Sequence, residues 1–345
     1  MSGQSIQERL PELGQIEAII GRDHKQYLST RVLCRLRYGE TSLPIHALTL
    51  GNTSTQLPSL TLVGGIHGLE RIGTQVVLTF LETLLERLHW DLTLVDMLQR
   101  VRINVLPLIN PIGMLNHSRA NGQGIDLMRN APVDSDEHTV WLGGGHRLSP
   151  LLPWYRGKAD QSMQTEAQVL CDYIRREVLP SPFSLVLDCH SGFGYHNQIW
   201  FPYAKSRIEP IKHLGEVFYL RKLFQQTYPY QNYRFEPQSQ HYLTHGDLWD
   251  YLYQQSLDSD TIFLPLTLEM GSWRWIRKNP LQLRRSLGLF HPIKPHRINR
   301  VLRGHLVLME FLLHATLSYQ QWLNKSHTRE MERQALALWY PDAKR

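Results

Sequence analysis

The stretch Ser59-Leu60-Thr61-Leu62-Val63-Gly64-Gly65-Ile66-His67-Gly68-Leu69-Glu70 sets the architecture of this chain. It begins as an apolar run typical of a buried strand and then breaks at two glycines. Helical periodicity follows over residues 71–90, so the stretch predicts a strand that turns directly into a helix. His67 and Glu70 lie at that turn, where a spacing of three lets both side chains face one point.

Two later segments repeat this arrangement, in which an apolar run meets a ligand-type side chain beside a glycine. They are Leu187-Asp188-Cys189-His190-Ser191-Gly192 and Leu266-Thr267-Leu268-Glu269-Met270-Gly271. In open α/β sheets, ligands bind beyond the carboxyl ends of the strands. We therefore expect His67, His190 and Glu269 to meet at one edge of a sheet, although they span more than 200 positions.

The rest of the chain alternates predicted strands with long predicted helices. Strand patterns occur at 31–37, 44–50, 59–66, 101–109, 184–189, 198–202 and 261–268. Helical patterns occur at about 71–90, 162–179, 209–227, 246–257 and 299–324. This alternation favours an α/β fold with a mostly parallel or mixed sheet and helices on both faces. Segments 129–161 and 270–298 are expected to be long ordered loops, which are usually functional in a compact domain.

Composition places the chain among ordinary globular proteins, with 42% hydrophobic and 20% charged residues over 345 positions. No apolar run reaches the roughly 18 residues needed to cross a bilayer. The polar start MSGQSIQERLPELGQ does not resemble a signal peptide. Three cysteines without CxxC spacing favour free, reduced thiols and a cytoplasmic location: Cys34, Cys171 and Cys189.

The net charge of +6 is concentrated near the C-terminal third. Nine Lys or Arg residues and no Asp or Glu lie between Met270 and Met309. Such a segment can steer an acidic partner or substrate toward a surface, or it can be a solvated basic face with no partner. Nucleic acid is not expected as a partner, because no recognition helix, RNP motif or zinc finger accompanies the charge.

Two histidines and one carboxylate are the ligands of catalytic Zn²⁺ sites, which leave the fourth position for water. His67, Glu70 and His190 supply that set, and Glu269 could act as a general base beside the water. Taken alone, an HxxE spacing more often reflects a hydrogen-bonded histidine and a surface glutamate. Glu269 ends an apolar run, where an unpaired ionised carboxylate would cost several kcal/mol.

A third region, Ser118-Arg119-Ala120-Asn121-Gly122-Gln123-Gly124-Ile125-Asp126-Leu127-Met128-Arg129-Asn130, carries two arginines around a Gly-rich turn. One arginine could stabilise an oxyanion and the other could hold a carboxylate in a bidentate fork. Asp126 could accept a hydrogen bond from a ligating imidazole. The alternative is a structural turn with surface arginines.

In this order, HGLE, NPIG, SRANGQGIDLMRN, DCHSG and TLEMG resemble the zinc metallocarboxypeptidase family over roughly residues 45–320. The resemblance implies a single α/β/α domain built on a mixed, mainly eight-stranded sheet. It implies zinc bound by His67, Glu70 and His190, with Glu269 as general base and later proton donor. We expect residues 1–30 to be an N-terminal lead-in, 31–325 the catalytic domain and 326–345 a C-terminal tail with a weak helix.

The same resemblance assigns substrate roles to further residues. It implies that Arg119 stabilises the oxyanion, that Arg129 and Asn130 bind a substrate carboxylate, and that Asp126 supports the first zinc histidine. Segment 241–250 resembles the family segment with a mobile tyrosine that caps the substrate.

Tyr242 is our choice for that tyrosine, with Tyr251 and Tyr253 as competitors. Trp249 lies where the family commonly places a determinant of the specificity pocket, although an ordinary core tryptophan is an equal alternative.

One departure from the family pattern concerns the substrate. Met128 stands where an asparagine usually precedes the anchoring arginine, and methionine donates no amide hydrogen bond to a terminal carboxylate. The sequence predicts an amide hydrolase that acts on a peptide, such as a murein-derived or acidic peptide. The alternatives are a deacylase of N-acyl amino acids, similar to succinylglutamate desuccinylase and aspartoacylase, and a non-catalytic binding module.

Overall fold

A mixed eight-stranded sheet forms the centre of the molecule. The computed structural model describes residues 6–22, 26–284, 287–323 and 325–341. Its strands are β1 (Leu28–Tyr38), β2 (Thr41–Gly51), β3 (Ser59–Gly64), β4 (Arg102–Leu106), β5 (Phe183–Ser191), β6 (Asn197–Phe201), β7 (Tyr233–Pro237) and β8 (Ile262–Met270). Their spatial order is β1-β2-β4-β3-β5-β8-β6-β7. The α/β class and the eight-stranded mixed sheet that the sequence predicted are confirmed.

Parallel strands lie at the middle of the sheet and antiparallel pairings lie toward its sides. Strand β3 is parallel to β4 and β5, and β5 is parallel to β8. Strand β6 runs antiparallel to β8 and parallel to β7. The carboxyl ends of β3, β5 and β8 therefore meet the amino ends of β6 and β7 at one edge, which we call the site edge.

The central strands are apolar because both of their faces are covered. Every residue of β3 and β5 is buried, as expected for parallel strands between two helical layers. Strand β7 was not predicted, because its five-residue sequence YRFEP mixes charged and aromatic residues and ends in proline. The remaining seven predicted strands are present with boundaries shifted by a few residues.

Twelve α-helices are present in the described part of the chain. They are α1 (Ile6–Arg9), α2 (Pro11–Gly21), α3 (Arg71–Arg87), α4 (Leu92–Met97), α5 (Pro111–Leu115), α6 (Thr165–Tyr173), α7 (Leu214–Thr227), α8 (Leu248–Ser256), α9 (Trp273–Lys278), α10 (Pro295–Leu317), α11 (Tyr319–Trp322) and α12 (Lys325–Trp339). None of the helices in the described residues has an apolar stretch long enough to span a bilayer.

Helices α3 and α8 cover opposite faces of β5. The α3 residue Gly73 lies against Cys189 of β5, whereas the α8 residue Trp249 donates a hydrogen bond to the neighbouring Asp188. Because side chains alternate along a strand, these two contacts lie on different faces. The sheet is therefore enclosed between helical layers, and α10 packs with α3.

Both ends of the described chain pack on the domain. In α2, Glu12 accepts a hydrogen bond of 2.9 Å from Arg71 Nε of α3. Helix α12 packs on α7, and Trp339 is buried against Phe201 and Phe218. The structure thus shows a packed helix instead of the expected C-terminal tail, because the apolar face of α12 is buried. Residues 1–5 and 342–345 of the expected terminal segments lie outside the described residues.

The two expected loops differ in their structure. Segment 129–161 follows a short 3₁₀ turn at Leu127–Arg129 and contains no further helix or named strand. Segment 270–298 is not a simple loop, because it contains α9, a 3₁₀ turn at Pro280–Arg284 and the start of α10. In this basic segment Arg285 lies outside the described residues.

Candidate metal and catalytic site

The turn between β3 and α3 brings His67 and Glu70 to the site edge. Gly65 has a φ of 66°, a left-handed conformation that favours glycine. Gly73, in the first turn of α3, lies so close to β5 that an added Cβ would be 2.1 Å from the Cys189 carbonyl oxygen. These two glycines let the chain turn sharply and let the helix pack directly against the strand.

Three predicted ligands converge in the structure. His67 Nδ1 lies 3.0 Å from Glu70 Oε1, and His190 Nδ1 lies 2.9 Å from Glu70 Oε2. The two Nδ1 atoms are 3.2 Å apart. One potential ligand atom from each residue lies within 4.8 Å of the others, and all three residues are buried. The predicted ligands therefore form one compact cluster.

The outer ring nitrogens of both histidines face carboxylates. His67 Nε2 lies 2.9 Å from Asp126 Oδ1, and His190 Nε2 lies 2.6 Å from Asp188 Oδ2. An imidazole that donates its Nε2–H outward presents its Nδ1 lone pair inward. Two inward lone pairs and the Glu70 carboxylate would repel one another unless ring protons or a metal cation lie between them. The donor set thus fits Zn²⁺, whose protein ligands in catalytic sites are histidines and carboxylates.

The surroundings hold Glu70 and Asp126 in the ionised form. Burial raises the pKa of Glu70, but the charges of His67 and His190 outweigh it and lower that pKa. Burial also opposes ionisation of Asp126, and Arg119 and His67 together bring the pKa of Asp126 well below its usual value. Both carboxylates are therefore available as acceptors at neutral pH.

Arg119 lies beside the cluster and contacts two of its acidic residues. Its Nε donates to Asp126 Oδ2 at 2.8 Å, and its Nη1 donates to Glu70 Oε1 at 3.4 Å. Burial lowers the pKa of Arg119, and the charges of Asp126 and Glu70 more than reverse that effect. The guanidinium is accordingly a fixed positive charge next to the candidate metal ligands.

Glu269 approaches the cluster from β8. It pairs in register with His190 of β5, and Glu269 Oε2 is buried without a hydrogen-bond partner in the described structure. Burial, followed by repulsion from Glu70, raises the pKa of Glu269 to about 8 in the metal-free protein. A metal cation in the neighbouring cluster would lower this pKa again and leave the carboxylate ionised, as a proton acceptor must be.

Arg129 and Tyr242 lie together on another side of the site. The Arg129 guanidinium lies 5.8 Å from the centroid of the Tyr242 ring, and Arg129 Nε is buried without a partner in the described residues. Burial raises the pKa of the Tyr242 hydroxyl, while Arg129 opposes that rise. An orphaned buried guanidinium N–H is a donor that a substrate anion could satisfy.

The side chain of Asn130 is engaged in the loop. Its Nδ2 donates to the Arg156 carbonyl at 2.9 Å, and its Oδ1 accepts from the Gln164 backbone N–H at 2.6 Å. These contacts give Asn130 a role in holding segment 129–161 on the domain.

Trp249 lies behind the metal cluster. It is 2% exposed, and its indole N–H donates to Asp188 Oδ2 at 2.9 Å. The same oxygen contacts His190 Nε2, so these contacts favour the alternative of a core tryptophan that supports the site.

Asp188 is the site residue that the sequence reasoning missed. Asp188 and His190 are two positions apart in β5, and side chains two apart in a strand lie on one face. An acidic residue two positions before a ligating histidine could therefore have been identified as its partner. The Ser191 backbone N–H, which donates to Glu70 Oε2 at 3.0 Å, carries no signal in the side-chain sequence.

Comparison with known proteins identifies relatives of the whole domain. The family model for zinc carboxypeptidases, Peptidase_M14, matches residues 40–272, which is about two thirds of the chain. Carboxypeptidase E of Caenorhabditis elegans is 26% identical over 196 residues, which cover 52% of this chain and 40% of the worm protein. The chain thus spans less than half of that relative's length, as measured by the matched region.

Solved structures share the fold at low sequence identity. Thrombin activatable fibrinolysis inhibitor superimposes with a TM-score of 0.66 and 17% identity over 91% of this chain and 76% of the other. Carboxypeptidase A from Helicoverpa armigera gives a TM-score of 0.60 and 18% identity over 91% and 71% of the two chains. At such identities the likeness establishes the fold alone.

Proposed function

The chain belongs to the zinc carboxypeptidase family, and on that premise we propose that it hydrolyses an amide bond of a peptide, using His67, Glu70 and His190 to hold zinc. The observation that carries the proposal is the convergence of both Nδ1 atoms and the Glu70 carboxylate, with Glu269 in register beside them. When bound, Zn²⁺ supplies a Lewis acid that polarises a carbonyl group and makes water more acidic.

Glu269 acts as the general base in this proposal. Its free Oε2 accepts the proton of the attacking water, and the same carboxyl group then gives the proton to the leaving amine. Arg119 stabilises the negative charge that develops on the carbonyl oxygen, since its guanidinium already lies beside Glu70. Asp126 and Asp188 hold the two imidazoles in orientation through their outer nitrogens.

Arg129 binds an anionic group of the substrate in this proposal. Its buried Nε–H is unsatisfied among the described residues, which is costly unless a ligand pairs with it. Tyr242, which packs over the guanidinium, is the side chain we propose to close over a bound substrate. Asn130 and Trp249 support the site indirectly in this proposal. Asn130 holds segment 129–161 in place, and Trp249 holds Asp188 in place.

The first candidate substrate is a peptide, and this class includes murein-derived and acidic peptides. Met128 favours a second candidate, a deacylase of N-acyl amino acids, because it is a buried thioether that donates no hydrogen bond to a terminal carboxylate. A substrate with a different anionic group would not need that donor. We also propose a reducing, cytoplasmic location, which the free thiols of all three cysteines support.

Incubation of the zinc-loaded protein with two substrate sets tests the proposal. One set contains peptides with a free carboxyl terminus and the same peptides as terminal amides, and the other contains N-acyl amino acids. We expect cleavage of peptides, detected by mass spectrometry, and a loss of about 10²–10⁴-fold in kcat in Glu269→Gln. Cleavage of N-acyl amino acids alone would favour the deacylase, and wild-type turnover by Glu269→Gln would refute the base assignment.

A further inference from the structure

A second, strongly basic cavity lies outside the metal cluster. It has a volume of about 470 Å³, and among the described residues its lining contains four Lys or Arg side chains and no Asp or Glu: Arg274, Lys278, Arg297 and Arg300. Asn197, Trp275 and His296 complete much of the wall. Its volume is in the range of small-ligand sites, and its charge is of one sign. We call it the basic cavity.

Two arginines of the basic cavity donate hydrogen bonds to neutral oxygens. Arg274 donates to the Gly271 carbonyl at 3.1 Å and to Asn197 Oδ1 at 2.7 Å, and Arg297 donates to the Trp275 carbonyl at 3.2 Å. Burial and the nearby charge of Arg300 lower the pKa of Arg274, which shows that like charges face one another here. An anion that enters the cavity would relieve this repulsion.

Part of the lining of the basic cavity lies at the site edge of the sheet. Its lining residues Asn197 and Asn232 lie at the amino ends of β6 and β7, and Arg274 follows the carboxyl end of β8. Strand β8 also carries Glu269, and β6 and β7 are the next two strands of the sheet. Two strand spacings amount to about 10 Å, a distance that about three residues of extended peptide cover.

We infer that the basic cavity binds acidic side chains of the peptide substrate, about three residues away from the bond that is hydrolysed. This inference rests on the proposed function and adds to it a preference for acidic peptides. Three guanidinium groups and one ammonium group can pair with two or more carboxylates, and arginine does so in bidentate geometry. Four of the nine basic residues between Met270 and Met309 line this cavity.

Matched peptide pairs test the preference directly. Each pair differs only by Glu or Gln at the positions about three residues from the scissile bond, and kcat/KM is measured for both. We expect the Glu peptide to be preferred by about tenfold at low salt, as a few exposed ion pairs would give, and less at high salt. In Lys278→Glu/Arg300→Glu the ratio of kcat/KM for the Glu peptide to kcat/KM for the Gln peptide should fall to one or below.

A control variant separates the cavity from the overall charge of the protein. Arg35→Glu/Arg37→Glu changes the net charge by the same amount on exposed positions of β1, at the opposite side of the sheet. We expect this variant to keep the wild-type ratio. An equal loss in both variants would show a general electrostatic field and would overturn the inference.

Direct binding separates this inference from the proposed function. A fluorescein-labelled Glu-rich peptide is titrated with Glu269→Gln protein, and anisotropy reports binding without turnover. The same titration is repeated with protein that also carries Lys278→Glu/Arg300→Glu. Loss of binding in this variant supports peptide binding at the cavity even if no peptide is cleaved. Cleavage of peptides with no Glu preference and no cavity-dependent binding would overturn the inference while the proposed function stands. Pyrophosphate that binds the cavity and is not displaced by the peptide would assign the cavity to small phosphates. That result would also overturn the inference.

Discussion

Glu269 and His190 occupy paired positions on the neighbouring parallel strands β8 and β5. Because paired residues of adjacent strands lie at the same height and on the same face of a sheet, strand register alone sets the candidate base beside a metal ligand. A shift of one residue in either strand would turn one of these side chains to the other face. The proposed arrangement of base and metal ligand is thus a direct consequence of how β5 and β8 pair.

Loss of the Arg129 side chain should weaken binding of an anionic substrate group. In Arg129→Ala we expect KM for a peptide with a free carboxyl terminus to rise by at least about tenfold, since a charge-assisted bidentate pair is lost. The same peptide as a terminal amide should show little change in KM. Arg129→Lys keeps the positive charge but cannot form the bidentate pair. Its KM for the free-acid peptide should lie between those of the wild type and Arg129→Ala. An equal rise in KM for the free-acid peptide and for the amide peptide would contradict a role of Arg129 in carboxylate binding.

Asp188 should matter for metal affinity. Asp188→Asn exchanges a charged acceptor for a neutral amide next to His190 Nε2, and we expect zinc affinity to fall by about 10–100-fold. Competition with a metal chelator of known affinity measures this change. Trp249→Phe keeps an aromatic ring but removes the N–H that donates to Asp188, so it should lower zinc affinity by a smaller factor. Unchanged affinity in Asp188→Asn would contradict the support role.

Gly73 should tolerate no side chain. In Gly73→Ala the new Cβ would be 2.1 Å from the Cys189 carbonyl oxygen, so α3 must move away from β5. We expect the free energy of unfolding, measured by urea titration, to fall by about 2 kcal/mol or more. Gly14→Ala in α2 is the matched control, since no atom of the described residues lies within 4 Å of its added Cβ. That variant should be neutral or more stable by up to about 1 kcal/mol.

Stability should fall in acid because two buried histidines and one half-buried histidine resist protonation. Burial is the main cause that lowers the pKa of His213, His291 and His305 to about 4, against about 6.5 in the unfolded chain. Between pH 6.5 and 4 the unfolded chain therefore binds more protons, so the free energy of unfolding decreases as pH falls through this window.

His305→Gln tests one of these histidines. His305 Nδ1 lies 2.7 Å from the Tyr233 hydroxyl, and glutamine retains a polar partner there. Between pH 7 and 4.5 the variant should lose about 1–3 kcal/mol less stability than the wild type, measured by urea titration at both pH values. Identical pH slopes for the two proteins would contradict the assignment.

The sequence could predict the convergence of His67, Glu70 and His190 because each lies near a glycine at the end of an apolar run. Periodicity and strand-end position are local properties, and the topology of an α/β sheet then brings the strand ends together. Strand β7 and the packing of α12 could not be predicted in the same way. The alternation in β7 covers only five residues and ends in a proline, and α12 is stabilised by tertiary contacts of Trp339 rather than by a local signal.

The contacts of individual side chains were harder to predict than their position. Trp249 lies in a helix near the site, but its orientation toward Asp188 depends on how α8 packs on β5. Likewise, the position of Asn130 beside Arg129 does not reveal that its amide is bonded to the Arg156 and Gln164 backbones. Such roles depend on contacts between residues distant in sequence.

The zinc content of the purified protein is the most direct test of the account. Elemental analysis should find about one zinc per chain in the wild type and almost none in His67→Ala/His190→Ala. His138→Ala/His314→Ala removes two exposed imidazoles and should keep the wild-type zinc content. Zinc that is absent from the wild type even after it is supplied, or that survives loss of His67 and His190, would contradict the proposed metal site.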